Sequence, residues 1–358
     1  MRKISGYFAV FLCILSVFSC KPDDDKNEAE WSTVSQDKFQ GCKVNNIVID
    51  TYGNKWFATS SGLAAYNDEK WVCYQNSIMS DKNKINWIEI ADIQEETSLL
   101  LATDLGITVL SFDENMLVET KVSYLGDSAD LLSDTIARIV KGKYDDIWVL
   151  SKNGLSFSNG GWHRETGFAN LDNIPAKSAL MPGSGPYYSG RKRNGMVKFI
   201  YSDIDGITGA SEWIPPYNGV ILDTVNYIFK SANGDLWIAS FGNELYTGNF
   251  MPKDGLIKHS GDNPKEGFTY FNSLYGGLAN NRIHCIDESG DNKIWLATEG
   301  GISYQVNDTL FANYTTADGL VSNKVYCISF DTDGSLWCGT DHGISHFRNG
   351  VFTSFFNE

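Results

Sequence analysis

Residues 331–344 read DTDGSLWCGTDHGI. The stretch holds a turn through Gly334, a short strand over 336–339, a second turn closing on Gly343 and a new strand from Ile344. Nearly the same phrase recurs along the chain. NKWFATSSGL carries Trp56 and Gly62, DDIWVLSKNGL carries Trp148 and Gly154, and NKIWLATEGGI carries Trp295 and Gly301. In each, as at Trp337 and Gly343, the glycine falls six residues after the tryptophan. GDLWIASFGN keeps Trp237 and places Asn243 at the glycine position, and Asn is the next most tolerant residue of positive φ. Two weaker copies fill the gaps: SLLLATDLGI with Leu100 and Gly106, and GPYYSGRKRNG with Tyr188 and Gly195.

The anchors at 56, 100, 148, 188, 237, 295 and 337 stand 40 to 58 residues apart. Alternating apolar runs precede them, as in NIVID (46–50), ARIVK (137–141), NYIFK (226–230), HCIDE (284–288) and YCISF (326–330). A third strand follows, and often an aromatic-rich fourth: KWVCYQ (70–75), LFANYT (310–315) and VFTSFF (351–356). Four short strands in a repeat of about 40–50 residues is the pattern of a β-propeller blade. Helical periodicity is absent beyond the N-terminal segment. The expectation is an all-β, monomeric, seven-bladed β-propeller of four-stranded antiparallel blades over residues 31–358, with the anchor tryptophans packed between blades. Ring closure is open at this point. VFTSFF (351–356) and EWSTV (30–34) both read as outer strands and cannot hold the same place. Trp31 therefore either adds an extra strand or packs on the rim.

The N-terminal nineteen residues, MRKISGYFAVFLCILSVFS, read as a secretory signal, too short and wrongly flanked for a membrane span. Val17-Phe18-Ser19-Cys20 resembles a lipobox, with Cys20 as the lipidated first residue. Residues 20–30, including KPDDD (21–25), read as a charged, flexible tether. A Lys followed by acids just past the lipidated Cys resembles the surface-export signal of some Gram-negative lipoproteins. We therefore expect an outer-membrane lipoprotein exposed at the cell surface, held through Cys20 alone, with the periplasmic face as the alternative.

The formal charge is −15, and loss of Arg2 and Lys3 with the signal makes it −17. That argues against nucleic acid and anionic lipid, and against polyanionic glycans unless one face is locally basic. Five cysteines remain beyond Cys20: Cys42, Cys73, Cys285, Cys327 and Cys338. They read as small buried hydrophobes, and the sequence does not decide whether any pair. There is no H-E-x-x-H, G-x-S-x-G, P-loop or C-x-x-C. No catalytic residue, metal site or cofactor is expected.

The pattern D-x-x-G-x-[LI]-W-[IV]-[AG]-T-x-x-G-[LI], with linkers such as GGLANNRI (276–283) and DGLVSNKV (318–325), resembles the two-component regulator propeller repeat. The resemblance covers roughly 40–356 and is degenerate around Leu100 and Tyr188. It implies the propeller fold and a ligand-binding sensor role, often toward glycan-derived oligosaccharides. These 358 residues carry one propeller, with no following β-sandwich, kinase or receiver pattern, so phosphotransfer by this chain is not expected.

Propeller turns between second and third strands, and the linkers between blades, meet at one mouth. Those turns are TSSG (59–62), TDLG (103–106), SKNG (151–154), SGRKRNG (189–195), SFGN (240–243), TEGG (298–301) and TDHG (340–343). Their frame repeats while the residues before the glycine vary, as in a scaffold with a diversified ring of contacts. The candidate ligand-binding residues are Arg191, Arg193, Asp104, Glu299, Asp341, His342, Asn281 and Arg282. The aromatics Trp87, Tyr227, Phe241 and Tyr326 are added as surfaces for a sugar ring. Arg191 and Arg193 offer bidentate contacts to a carboxylate or sulfate. The expected partner is an oligosaccharide or an envelope protein. Two rival readings stay open: a polysaccharide or lactone-type lyase using His342 with Arg191 or Arg282, and a protein-interaction platform using the loop 251–268.

Overall fold

The computed structural model describes residues 31–356, except 77–83, 94–95, 125–130, 143–145, 152, 159–161, 165–175, 181–186, 192–195, 203–205, 213–223, 242–254 and 262–265. The signal segment, Cys20 and the tether fall outside the described residues, as does Arg193.

Each repeat builds one antiparallel sheet. The first contains β1 (Trp31–Val34), β2 (Val44–Ile49), β3 (Lys55–Thr59), β4 (Leu63–Tyr66) and β5 (Trp71–Asn76), in the order β1-β5-β4-β3-β2. Every other sheet among the described residues has four strands in chain order. Their inner strands are Ile85–Ile93, Ile136–Lys141, Ala176–Leu180, Thr224–Lys230, Ile283–Glu288 and Val325–Phe330. Four-stranded sheets thus number six where seven were expected. The correction lies in the first sheet, where β1 pairs along the outer edge of β5, with Trp31 opposite Asn76. Trp31 is buried in the core between the first and second sheets, so apolar burial holds the fifth strand in place. The strand Val351–Phe355 stays the outer strand of the last sheet, so the two competing segments occupy different sheets.

The repeated turn is a hydrogen-bonded unit. Thr59, Thr103, Ser151, Thr298 and Thr340 each donate a side-chain hydroxyl to the carbonyl of the glycine three residues on, at 2.8 to 3.2 Å. Each hydroxyl also accepts from the backbone N–H two residues on. Gly301 closes its turn at φ +127, where a Cβ would collide with the carbonyl oxygen of Tyr314 on the outer strand. No side chain fits there, and this explains the glycine six residues after the tryptophan. Trp56, Trp148, Trp237 and Trp337 are buried to within 2 % of full, packed between sheets as expected.

The ring closes by packing between the first and last sheets. Phe39, Phe57, Trp337, Ile344 and Phe356 share one core cluster. Trp71 meets Phe356 at 4.6 Å and Phe57 meets Trp337 at 5.6 Å between ring centroids. Backbone bonds run Gly41 N–H to the Phe356 carbonyl at 2.8 Å and Gly343 N–H to the Cys42 carbonyl at 2.9 Å. Lys55, only 2 % exposed, holds Asp68 at 2.8 Å and reaches across the seam to Asp331 at 2.9 Å. Burial pulls its ammonium down, but hydrogen bonds and charge from the two aspartates outweigh this and leave it above the ordinary lysine value. The five cysteines Cys42, Cys73, Cys285, Cys327 and Cys338 are all free and buried.

Side chains from three sheets meet at the centre of the ring. The Arg138 guanidinium lies 4.0 Å over the Trp87 ring and 4.3 Å over the Tyr227 ring. These rings come from the second and fifth sheets, which are not neighbours, so they meet only across the centre. Trp87 and Tyr227 were candidates for stacking on a sugar. Each instead has the guanidinium over its face, in a sandwich favoured by the quadrupole of each ring. Glu89 stands on the same inner strand as Trp87, and burial pushes its carboxyl up to about 7, partly offset by Trp87 and the charge of Arg138.

Two outcomes follow from these contacts. Removing the Lys55 ammonium strands the buried Asp331 carboxylate, so Lys55→Ala should cost about 3–5 kcal/mol, read by urea unfolding. Lys55→Met/Asp331→Leu should recover most of that loss, because a well-packed apolar pair replaces the buried charges. Glu89 binds its proton more tightly folded than unfolded, so it contributes stability at low pH that is lost as pH rises through about 7. The urea midpoint should therefore fall between about pH 5.5 and about pH 7.5, and Glu89→Gln should flatten that slope.

Candidate functional site

The strand registers bring the variable turns and the starts of the inner strands to one mouth. Val44 pairs with Thr59, Ile85 with Thr103, Ile283 with Thr298, and Val325 with Thr340. The residue opening each turn then returns a backbone bond to the residue before the inner strand. Ser60 N–H meets the Lys43 carbonyl at 2.8 Å, Glu299 N–H that of Arg282 at 3.1 Å, and Asp341 N–H that of Lys324 at 3.1 Å. In these three sheets the same two positions therefore stand side by side.

A cation–carboxylate pair occupies those positions in three sheets. Lys84 lies 3.8 Å from Asp104, Arg282 lies 3.5 Å from Glu299, and Lys324 lies 3.7 Å from Asp341. The first sheet departs from the pattern, with Lys43 facing Ser60. Such exposed pairs add little stability in water. Their interest is that they ring the mouth with donors and acceptors.

A second row runs around the rim on the inner strands. Lys43 Nζ sits 3.5 Å from the centroid of the Tyr326 ring. Tyr326 meets the His284 ring at 4.7 Å, and His284 Nε2 lies 3.5 Å from Glu299 Oε1. Glu299 in turn holds Arg282. One continuous path, Lys43–Tyr326–His284–Glu299–Arg282, thus crosses the first, last and penultimate sheets. Burial lowers the His284 pKa against the upward pull of Glu299, so the imidazole is neutral at pH 7. Asp341 accepts from Ser322 Oγ at 2.5 Å and has His342 Nδ1 at 3.0 Å. Burial raises the Asp341 carboxyl, but the hydrogen bonds and cations around it prevail and hold it below the usual range.

Five of the residues chosen from the sequence therefore converge: Arg282, Glu299, Tyr326, Asp341 and His342. Tyr326 is flanked by Lys43 and His284, so it offers its edge and hydroxyl rather than a bare face. Asp104 pairs with Lys84 and accepts from Asn86 Nδ2 at 2.8 Å. Asn281 accepts from Ser273 N–H at 2.6 Å and holds its own loop. Trp87 and Tyr227 meet Arg138 at the centre of the ring. Arg191 falls on the strand Tyr187–Arg191 opposite Ala176, and Phe241 ends the strand Leu236–Phe241. Arg193 and residues 251–254 and 262–265 lie outside the described residues; within the segment read as the loop 251–268, Gly255–His259 is instead a strand of the fifth sheet and Phe268 opens the next strand. Among the described residues, no group of three or more His, Cys, Asp or Glu is placed to hold a metal ion.

Sequence reasoning passed over Lys43, Lys84, His284 and Lys324. One signal for them was available. At the second position of the inner strand, Asn45 donates to the Ile85 carbonyl and Asn86 to the Ile136 carbonyl, each at 2.8 Å, linking one sheet to the next. His284 and Tyr326 stand at that position in the penultimate and last sheets, where this Asn link is lost and a rim of different chemistry begins.

Residues 319–342 match the family model for the two component regulator propeller. No curated protein matches the chain. Among solved structures the chain is similar to the extracellular domain of BT4673, a candidate one component system of B. thetaiotaomicron. The TM-score is 0.64 at 18% identity, over 90% of this chain and 40% of that one, so the chain spans about 40% of that domain's length. Virginiamycin B lyase from Staphylococcus aureus aligns at TM-score 0.62 and 14% identity, over 88% of this chain and 97% of that one. PorZ, a surface component of the type-IX secretion system of Porphyromonas gingivalis, aligns at 0.57 and 14%, over 83% and 45%. At these identities the likeness carries the fold. The matched segment contains Lys324, Tyr326, Asp341 and His342, so the segment that resembles this family carries the last sheet's share of the mouth.

Proposed function

We propose that this chain is a non-catalytic binding propeller that takes an oligosaccharide at the mouth formed by the penultimate, last and first sheets. The observation that carries this reading is the row Lys43–Tyr326–His284–Glu299–Arg282, flanked by Lys324, Asp341 and His342. It sets cations, carboxylates, a phenol and a neutral imidazole within one span. That mixture of donors and acceptors suits a ligand rich in hydroxyls. The N-terminal reading completes the proposal: residues 1–19 direct export, Cys20 carries the lipid, and residues 20–30 tether the propeller to the outer membrane with the mouth accessible at the cell surface. The extracellular domain of BT4673 and the surface component PorZ share the fold, in keeping with such a location.

One observation favours a second, catalytic reading. A neutral His284 beside Glu299 and Arg282 has the parts of a general base with a charge stabiliser. β-Elimination from an acidic sugar would give an unsaturated product absorbing near 235 nm, and loss of that product in His284→Ala would assign the lyase.

The test of binding is thermal unfolding of the mature chain against a panel of neutral and acidic oligosaccharides. A ligand at about one hundred times its dissociation constant should stabilise the fold by about 2.7 kcal/mol. The shift should vanish in Tyr326→Ala and in Glu299→Gln and persist in Glu114→Ala, which lies away from this mouth. No shift with any glycan would overturn the reading in favour of an envelope protein partner.

A further inference from the structure

Among the described residues of the mouth, one cation, Lys43, has no carboxylate paired with it. In the second, penultimate and last sheets the residue before the inner strand is basic and the residue opening the turn is acidic: Lys84 with Asp104, Arg282 with Glu299, Lys324 with Asp341. The first sheet keeps the base, Lys43, but has Ser60 in the acid's place. Ser60 Oγ accepts from the Lys43 backbone N–H at 3.1 Å, so it completes the turn without neutralising the ammonium. The nearby carboxylate from the last sheet is Asp341, and its oxygens are engaged elsewhere. Oδ1 takes Ser322 and His342, and Oδ2 faces Lys324. No carboxylate among the described residues lies within ion-pair distance of Lys43.

The surroundings hold this ammonium in place. The Lys43 side chain is half-buried, with Nζ over the Tyr326 ring at 3.5 Å, so the cation has a fixed seat. Burial, and then the charge of Lys84, lower its pKa against the pull of Asp341, as expected of a cation short of counter-charge. His284, which also senses the charge of Lys43, stays neutral and adds nothing negative. On a chain of net charge −15, an ammonium short of counter-charge stands out.

We propose that the junction of the last and first sheets is an anion subsite, in which the Lys43 ammonium, seated over Tyr326, takes the carboxylate of an acidic sugar. This rests on the reading of the mouth as a glycan site and adds the charge class of the ligand. The bound carboxylate stands where the other sheets supply their own acid. Neutral glycans lack the group that fills this position, and long polyanions are repelled by the rest of the chain.

The test compares trigalacturonic acid with its fully methyl-esterified form by calorimetry on the mature chain. The two differ in charge and little else. The acid should bind roughly tenfold to a hundredfold more tightly than the ester, the value of one charge-assisted contact. Lys43→Met should weaken the acid far more than the ester and close the gap between them. Ser60→Asp installs the missing carboxylate at an exposed turn position and should have the same effect, with an unchanged unfolding midpoint to show that the fold is intact. Equal binding of acid and ester, or equal weakening of both by Lys43→Met, overturns the anion subsite. If neither uronate binds but neutral glycans still shift the midpoint through Tyr326, the subsite falls and the glycan reading stands. If no glycan binds at all, both fall together.

Discussion

The structure depends on a place where no side chain can be. At Gly301 the outer-strand carbonyl of Tyr314 occupies the space a Cβ would take, and Gly62 meets the carbonyl of Tyr74 in the same way. This close approach binds the second-to-third strand turn to the end of the outer strand. The threonine or serine three residues earlier closes the turn from within, donating to the glycine carbonyl and accepting from the backbone between. The turn is thereby rigid, and the residues between its ends are free to vary. Rigid frame and variable contents are what a rim of contacts requires.

Propeller rings must also join their ends. In this chain the first and last sheets meet through aromatic packing and a buried lysine held by Asp68 and Asp331. The N-terminal strand pairs within its own sheet and leaves the last sheet's outer strand in place. The seam therefore lies beside the rim residues Lys43 and Tyr326, which come from opposite ends of the chain. Closing the ring and assembling the proposed site are one event. A chain that failed to close would separate the ammonium from the ring it covers.

The mouth and the channel use similar residue types for opposite ends. In the channel, Arg138 between Trp87 and Tyr227 is 8 % exposed and consumes its aromatic partners. At the mouth, the cations and carboxylates meet at 3.5 to 3.8 Å across half-exposed side chains and keep solvent-facing capacity. Depth within the ring separates the two. A charge deep in the channel must be matched by the protein itself, whereas one at the rim has water until a ligand arrives.

The repeat itself was legible from residue order. The spacing of tryptophan and glycine follows from local turn geometry and period-two burial, which short stretches encode, so the four-stranded unit and the shared mouth could be read directly. So could Arg282, Glu299, Asp341 and His342, because their positions in the turn repeat. His284 and Lys43 could not be read that way, since each matters only through a partner on another sheet. Trp87 and Tyr227 misled for the same reason: Arg138 reaches both rings only once the ring has closed around it. The amino-acid sequence by itself determined each sheet, its turn and which turns share a mouth, because hydrogen-bond register and chain stiffness act between near neighbours. Only the tertiary structure decided the fifth strand, the contacts at the centre of the ring and the unmatched ammonium, because those arise where distant strands are forced within contact distance by ring closure.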